Sequence, residues 1–340
     1  NRPGPGSVST RLEDRVIDMI SEAAPGSDVF VSIYTFTRLE VAQALLAARR
    51  RGVTVRVLVD AKSLRRDNPA VEALRSARDG LDGCGRACVR VCRRGCQGLH
   101  INHNKFLLLS RLRDGSRWVV AQSSANFTAG QLHHYNDLVV IKNDRKLYRA
   151  FRRYFDDLSR RRWAPRYSRR AKGESGVEAY FFPRLFGPDP IVKMLAGIDC
   201  DPDAVIRVAH SRFESHRIRV ARRLRALADR GCDVRVLVRD EPGKNSPGSA
   251  VLRELEGLVT VLPYKGQPRA DNAIHTKLML IRARYAGSDQ TRHVVLTGSH
   301  NLSATSLRFN DEVLLRLENE ALFDAYQGFW EGMLRAHRPR

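Results

Sequence analysis

Two histidine–lysine pairs recur in this chain, each spaced two residues apart at the mouth of an apolar run. His103 and Lys105 precede Phe106-Leu107-Leu108-Leu109, and His275 and Lys277 precede Leu278–Ile281. Side chains two apart share one face of a strand, so each pair points to the same side of a strand entrance. A neutral imidazole can attack an electrophile and a protonated one can give up a proton, while an ammonium neutralises an anion. That combination suits an anionic ester such as a phosphodiester, whose charge must be screened before anything can attack it. One His-x-Lys is commonplace in solvated loops, so the recurrence carries the weight.

More than the pair recurs. "QSSANFT" (Ser124, Asn126) follows His103 by 21 residues, and "TGSHNLS" (Ser299, Asn301) follows His275 by 24. "YNDLVV" and "FNDEVLL" then place Asp137 and Glu312 thirteen residues after Ser124 and Ser299. In a phosphodiester site Lys105 and Lys277 supply point charges. Ser124, Asn126, Ser299 and Asn301 supply neutral donors to the nonbridging oxygens. One imidazole attacks phosphorus to give a phosphohistidine, and the other protonates the leaving alkoxide and then activates water. Asp137 and Glu312 are each expected to hold a ring N–H and fix its tautomer. No metal or cofactor is expected, because lysines and asparagines carry the charge and no Asp/Glu cluster suggests a two-metal site.

In this order, twice over, the residues resemble the phospholipase D superfamily, whose members carry two copies of H-x-K-x4-D followed by G-S-x-N and an acid. The resemblance spans about 10–160 and 189–335. The motif's Asp is replaced by Ser110 in the first copy and Arg282 in the second, and the first Gly is Ser123. Tyrosyl-DNA phosphodiesterases, active relatives, also lack that Asp. The resemblance implies His103 as nucleophile and His275 as general acid; the residues themselves do not order the two. It implies an α/β fold of two similar α/β/α sandwich halves, with mixed sheets flanked by helices and the active site at their interface.

The elements that must position these residues also repeat. "VFVSIYTFTRLEVAQALLAARRRGVTVRVLVD" (29–60) and "AVIRVAHSRFESHRIRVARRLRALADRGCDVRVLVRD" (204–240) each read strand, amphipathic helix, glycine turn, strand. Short valine-rich strands suit a sheet covered on both faces. Second helices follow near 69–78 and 249–257. Strands are expected at 105–109, 117–122, 137–141, 277–281, 293–297 and 312–317, with closing helices near 145–160 and 319–336. The Arg- and Pro-rich segment 161–188 reads as a connection. The halves are therefore placed at 1–165 and 166–340, a tandem duplication of one α/β unit.

Composition bounds the partner. Of 340 residues 43% are apolar, enough for a real core, and 59 Lys and Arg against 37 Asp and Glu give a formal +22. Such a surface attracts anions, so the expected partner is an anionic phosphodiester substrate, a phospholipid surface or a nucleic acid. No obligate protein partner is expected, and the chain is expected to act as a monomer. Cys84, Cys88, Cys92 and Cys96 recur every four residues, with Cys200 and Cys232 far away. Their even number favours disulfides over zinc, which more often uses a Cys-x-x-Cys knuckle. With a start at Asn1 and no apolar leader, this reads as a mature secreted, extracellular chain. The leading reading is a secreted phospholipase D-type enzyme that hydrolyses or transfers a phospholipid head group. The alternative is a metal-independent nuclease, suggested by charge and the missing Asp; a binding protein on an inactive scaffold is disfavoured, because both copies keep His, Lys and Asn. Nearby His100, His133, His134 and His300 are read as bystanders at the cleft rim.

Overall fold

The structure, a computed structural model, describes residues 1–3, 7–64, 68–75, 89–160, 162–164, 166–263 and 272–337. Cys84 and Cys88 lie outside the described residues. Helix α1 (Arg11–Ser21) leads into strand β1 (Asp28–Ile33), helix α2 (Leu39–Arg50) and strand β2 (Thr54–Asp60), which returns parallel to β1. Helix α3 (Pro69–Arg75) precedes β3 (Val89–Cys92), parallel to β2. Strands β4 (Lys105–Arg111), β5 (Arg117–Ser123) and β6 (Leu138–Ile141) then add antiparallel on the other side of β1. The six-stranded order is β3-β2-β1-β4-β5-β6, closed by helix α4 (Arg145–Arg160).

The chain does not pass straight to a second copy. Segment 161–188, expected as a connection, contributes β7 (Arg169–Lys172) and β8 (Glu178–Phe181) to the second sheet, where β8 pairs with that sheet's last strand. Then follow α5 (Pro190–Ala196), β9 (Ile198–Asp199), β10 (Val205–His210), α6 (Ile218–Asp229), β11 (Asp233–Arg239), α7 (Ser249–Glu254) and β12 (Val259–Leu262). The half ends with β13 (Lys277–Tyr285), β14 (Ser288–Gly298), α8 (Ala304–Arg308), β15 (Val313–Glu318) and α9 (Glu320–His337). The order is β12-β11-β10-β13-β14-β15-β8-β7, with β9 pairing β13.

Both sheets are mixed and share a register at the position that matters here. Lys105 is paired with Ile33, the last residue of β1, and Lys277 with His210, the last residue of β10. Each lysine therefore stands at the carboxyl end of its half's central parallel strand, where open α/β sheets place their ligands.

Apolar residues on both faces of the strands account for the layering. Val29, Val31 and Ile33 pack outward against α1, α2 and α3, while Phe30 and Leu58 point the other way. Met279, Ile281 and Val236 likewise meet α5, α6 and α7. Between the sheets lies one continuous core to which α4 gives Phe151, Tyr154 and Phe155 and α9 gives Phe323, Phe329 and Trp330. Tyr154 meets Phe181 of the second sheet at 4.7 Å between ring centroids, and the Trp330 indole N–H donates to the Val208 carbonyl at 2.8 Å. The molecule is thus two α/β/α sandwiches sharing their middle helical layer.

Candidate active site

The two His-x-Lys entrances meet because each runs beside the other half's acidic segment. The His103 amide donates to the Asp311 carbonyl, and the His275 and Thr276 amides donate to the Tyr135 carbonyl, all at 2.9–3.0 Å. The four key groups consequently share one electrostatic neighbourhood: His103 feels the charge of Lys277, and His275 that of Lys105.

Glu312 reaches across the halves, its Oε2 2.9 Å from Nδ1 of His103. It also accepts from the Ser299 hydroxyl at 2.5 Å, Ser306 at 2.8 Å and the Asn310 amide at 3.2 Å. Burial alone would push this carboxyl up, but His103 and Lys105 outweigh it and hold it below its ordinary value. An ionised acceptor requires Nδ1 of His103 to carry the proton, which leaves Nε2 as a lone pair. Burial brings the His103 pKa down to about 4, against the pull of Glu312, so the ring is neutral at physiological pH.

His275 is held differently. Its Nδ1 lies 2.9 Å from Oδ1 of Asn136, not against Asp137 as the sequence reading expected. The Asn136 amide nitrogen donates to the carbonyls of Gln131 and His134, which orients its oxygen toward His275. Asp137 is instead consumed by three hydroxyls: Thr276 at 2.6 Å, Thr297 at 2.5 Å and Tyr326 at 2.9 Å. With those donors converging on it, the carboxylate has no reason to turn to the ring. Both imidazoles thus carry Nδ1–H and leave Nε2 free. One is backed by a charge, the other by a neutral amide.

The serines of the small-polar signatures are also correctly placed yet differently employed. Ser124 Oγ accepts the Asp137 amide at 2.9 Å, and Ser299 Oγ accepts the Val313 amide at 3.0 Å while donating to Glu312. Each hydroxyl thus accepts a buried turn amide and turns its own O–H to a neighbour that backs a histidine, Ser124 to Oδ1 of Asn136 at 3.3 Å and Ser299 to Glu312. The asparagines remain as candidates. Asn301 has its carbonyl held by Ser211 at 2.7 Å, and the buried Oδ1 of Asn126 has no hydrogen-bond partner among the described residues.

Both lysines are almost fully buried. Lys105 Nζ donates to the His103 carbonyl at 2.7 Å, and Lys277 Nζ to Ser211 at 3.0 Å and to the His275 carbonyl. Burial lowers Lys105 to about 7 and Lys277 well below its usual value, with Lys105 and Arg239 adding repulsion. His275 is likewise lowered by burial, then by Lys277 and Arg239. Nearby carboxylates, Glu312 and Asp60 for Lys105 and Glu312 and Asp137 for Lys277, offset this burial only in part, so an anion entering between the lysines is favoured. Among the described residues no group of three or more His, Cys, Asp or Glu is placed to hold a metal ion.

Two rings escaped the sequence reading. Tyr34 tilts against His103 at 5.1 Å and lies 5.5 Å from Lys105 Nζ; His134, read as a bystander, stacks on His275 at 5.8 Å. Tyr34 directly follows β1, and that position at the end of a central strand was the available signal.

The lysines give a first expected result. An anion favours the ammonium forms and raises their pKa values, so inorganic phosphate should bind best below about pH 7, with affinity falling as pH rises through the bound-state values. Calorimetric titrations at acid and alkaline pH check this. Lys105→Met should weaken that pH dependence, leaving the part due to Lys277, while stabilising the free protein by about 1–3 kcal/mol, since a buried charge is replaced by an apolar chain of similar volume. With Lys105 lowered from 10.5 to about 7 on folding, the unfolded chain holds more protons between those values, so wild-type stability rises with pH there and this part is lost in the variant.

Paired His-x-Lys entrances at the carboxyl ends of two mixed sheets, each histidine held by the opposite half, define the phospholipase D class of phosphodiesterase folds. The chain belongs to the family described as cardiolipin synthase, PLD-like domain, which it matches over residues 16–159 and 203–334. No curated protein sequence matches it. Among solved structures it is similar to phosphatidylserine synthase of Haemophilus influenzae, with 14% identity, 97% of this chain and 85% of that one covered, and a TM-score of 0.66. It is similar in fold to polyphosphate kinase of Porphyromonas gingivalis, with 12% identity, 96% of this chain, 49% of that one and a TM-score of 0.54. It also resembles a mutant of yeast tyrosyl-DNA phosphodiesterase, with 12% identity, 89% and 84% covered, and a TM-score of 0.50.

Proposed function

We propose that this chain is a secreted phosphodiesterase that cleaves, or transfers, the head group of a phospholipid through a phosphohistidine on His103. The observation that carries the reading is the unequal backing of the two imidazoles, Glu312 behind His103 and Asn136 behind His275. A carboxylate makes the opposite nitrogen electron-rich, as a nucleophile needs; a neutral amide leaves a protonated ring more acidic, as a proton donor needs.

The substrate's phosphate brings the negative charge that lets His275 hold its proton despite burial. Nε2 of His103 attacks phosphorus, the P–O bond to the leaving group breaks, and His275 passes its Nε2 proton to the departing oxygen. Lys105, Lys277 and Asn301 stabilise the equatorial oxygens. Water, or an alcohol in transfer, then gives its proton to His275 and attacks, and the P–N bond breaks. Release to water and to an alcohol share this intermediate.

The cardiolipin synthase description of the family supports a phospholipid substrate, and the Cys92–Cys96 and Cys200–Cys232 disulfides support an oxidising compartment. The charge of +22 supports a second reading, a metal-independent nuclease. Purified protein in EDTA should release head group from mixed phospholipid vesicles and leave plasmid and single-stranded DNA intact. DNA cleavage without head-group release would favour the nuclease.

A further inference from the structure

Large apolar side chains standing in water are informative when they gather. Five are exposed among the described residues, and three of these, Leu99, Trp163 and Phe186, border one surface; Trp163 and Phe186 are 65% and 63% exposed. Trp163 joins two shallow hollows, one running to Arg94 and Leu99, the other to Arg166, Arg169 and Phe186. Among the described residues no carboxylate lines either hollow. Arg166 lies over the Phe186 ring at 5.2 Å, and Arg169 pairs with Asp157 at 3.3 Å on the flank.

The loops bearing these residues are anchored. Amides of Cys96 and Gly98 donate to the buried Asp311 carboxylate at 2.6 and 2.8 Å, and the Ala164 amide donates to the Gln97 carbonyl at 2.9 Å. Arg308 donates to the carbonyls of Arg184 and Gly187 at 3.0 Å, fixing the turn that carries Phe186. The exposure is therefore built in. The patch also adjoins the site: Leu99 precedes His103 by four residues, at most about 14 Å of chain, and Asp311 precedes Glu312.

We infer that Leu99, Trp163 and Phe186, rimmed by Arg94 and Arg166, form an interfacial docking surface that seats the protein on an anionic phospholipid bilayer beside its cleft. An aromatic pair with an aliphatic neighbour suits the boundary between head groups and acyl chains, and arginines suit lipid phosphates. A single-stranded nucleic acid would use the two rings as stacking platforms but has no use for Leu99. No described helix is long and apolar enough to cross a membrane. The inference rests on the phospholipid reading of the site.

The test uses the full chain carrying His103→Ala, so that binding is read without turnover. Sedimentation with phosphatidylcholine–phosphatidylglycerol vesicles should show affinity at least about tenfold above that for phosphatidylcholine alone, from about fivefold per engaged arginine. Trp163→Ser with Phe186→Ser, and separately Arg94→Glu with Arg166→Glu, should each lower it about tenfold or more with unchanged thermal melting. Unchanged vesicle binding in both double variants overturns the inference, as does loss of oligonucleotide binding with vesicle binding intact. Head-group release by the histidine-intact chain is scored separately. Vesicle binding without release sinks the substrate reading and leaves the docking surface standing; release with patch-independent binding does the reverse.

Discussion

His103→Ala is expected to lower phosphodiester turnover by roughly 10⁴- to 10⁶-fold, the scale seen when a covalent nucleophile is removed, and His275→Ala to be comparably damaging with a natural alkoxide leaving group. The two variants should part company on an ester such as bis(p-nitrophenyl) phosphate, whose leaving group departs without a proton. There His275→Ala should still form the first P–N bond but lack the base that activates water, so phosphoryl adduct accumulates on His103 and intact-protein mass spectrometry detects it. His103→Ala should give none. An adduct on His275 in the His103→Ala protein would reverse the assignment of roles.

The second large effect is expected at Glu312. Changing it to glutamine preserves shape while removing the charge that keeps Nδ1 of His103 protonated and Nε2 free. In triads where the corresponding acid becomes an amide, turnover falls about 10⁴-fold; a loss of about 10³- to 10⁴-fold is expected here, with substrate KM nearly unchanged. The converse change behind the other ring, Asn136→Asp, should cost far less. A carboxylate there strengthens proton retention by His275, so the alkaline limb of the kcat profile should move to higher pH. If Glu312→Gln retained most activity while Asn136→Asp abolished it, the division of labour between the rings would have to be exchanged.

Much of this was legible because duplication acts as an internal control. Strands β4, β5, β13 and β15 and helices α4 and α9 fall where apolar runs and periodicity put them. Strands β3 and β12 were missed: each is the outermost strand at one edge of its sheet and only partly buried, so its residues show little of the apolar signature of a central strand. Strands β7 and β8 were hidden by arginines and prolines, because an edge hairpin can be polar and still pair.

Side-chain partners were less legible than positions. Spacing identified Asp137 and Glu312 as equivalents but could not show that Tyr326, from α9, would compete for Asp137. The positions of the missing motif Asp lie away from the site. Ser110 and Arg282 lie five residues along their strands from the lysines, about 16 Å away. There Ser110 accepts the Asp28 amide at 2.8 Å and Arg282 donates to the Asp203 carbonyl at 3.2 Å. Each fastens the start of the neighbouring strand, away from the histidines and lysines.

The core between the sheets has one more consequence. Because each histidine is completed by the opposite half, the site exists only while the halves are docked, and a single apolar layer keeps them so. Association that two separate subunits would owe to their concentration is here intramolecular. Activity per molecule should thus survive extreme dilution, with no loss at concentrations where two separate subunits would part.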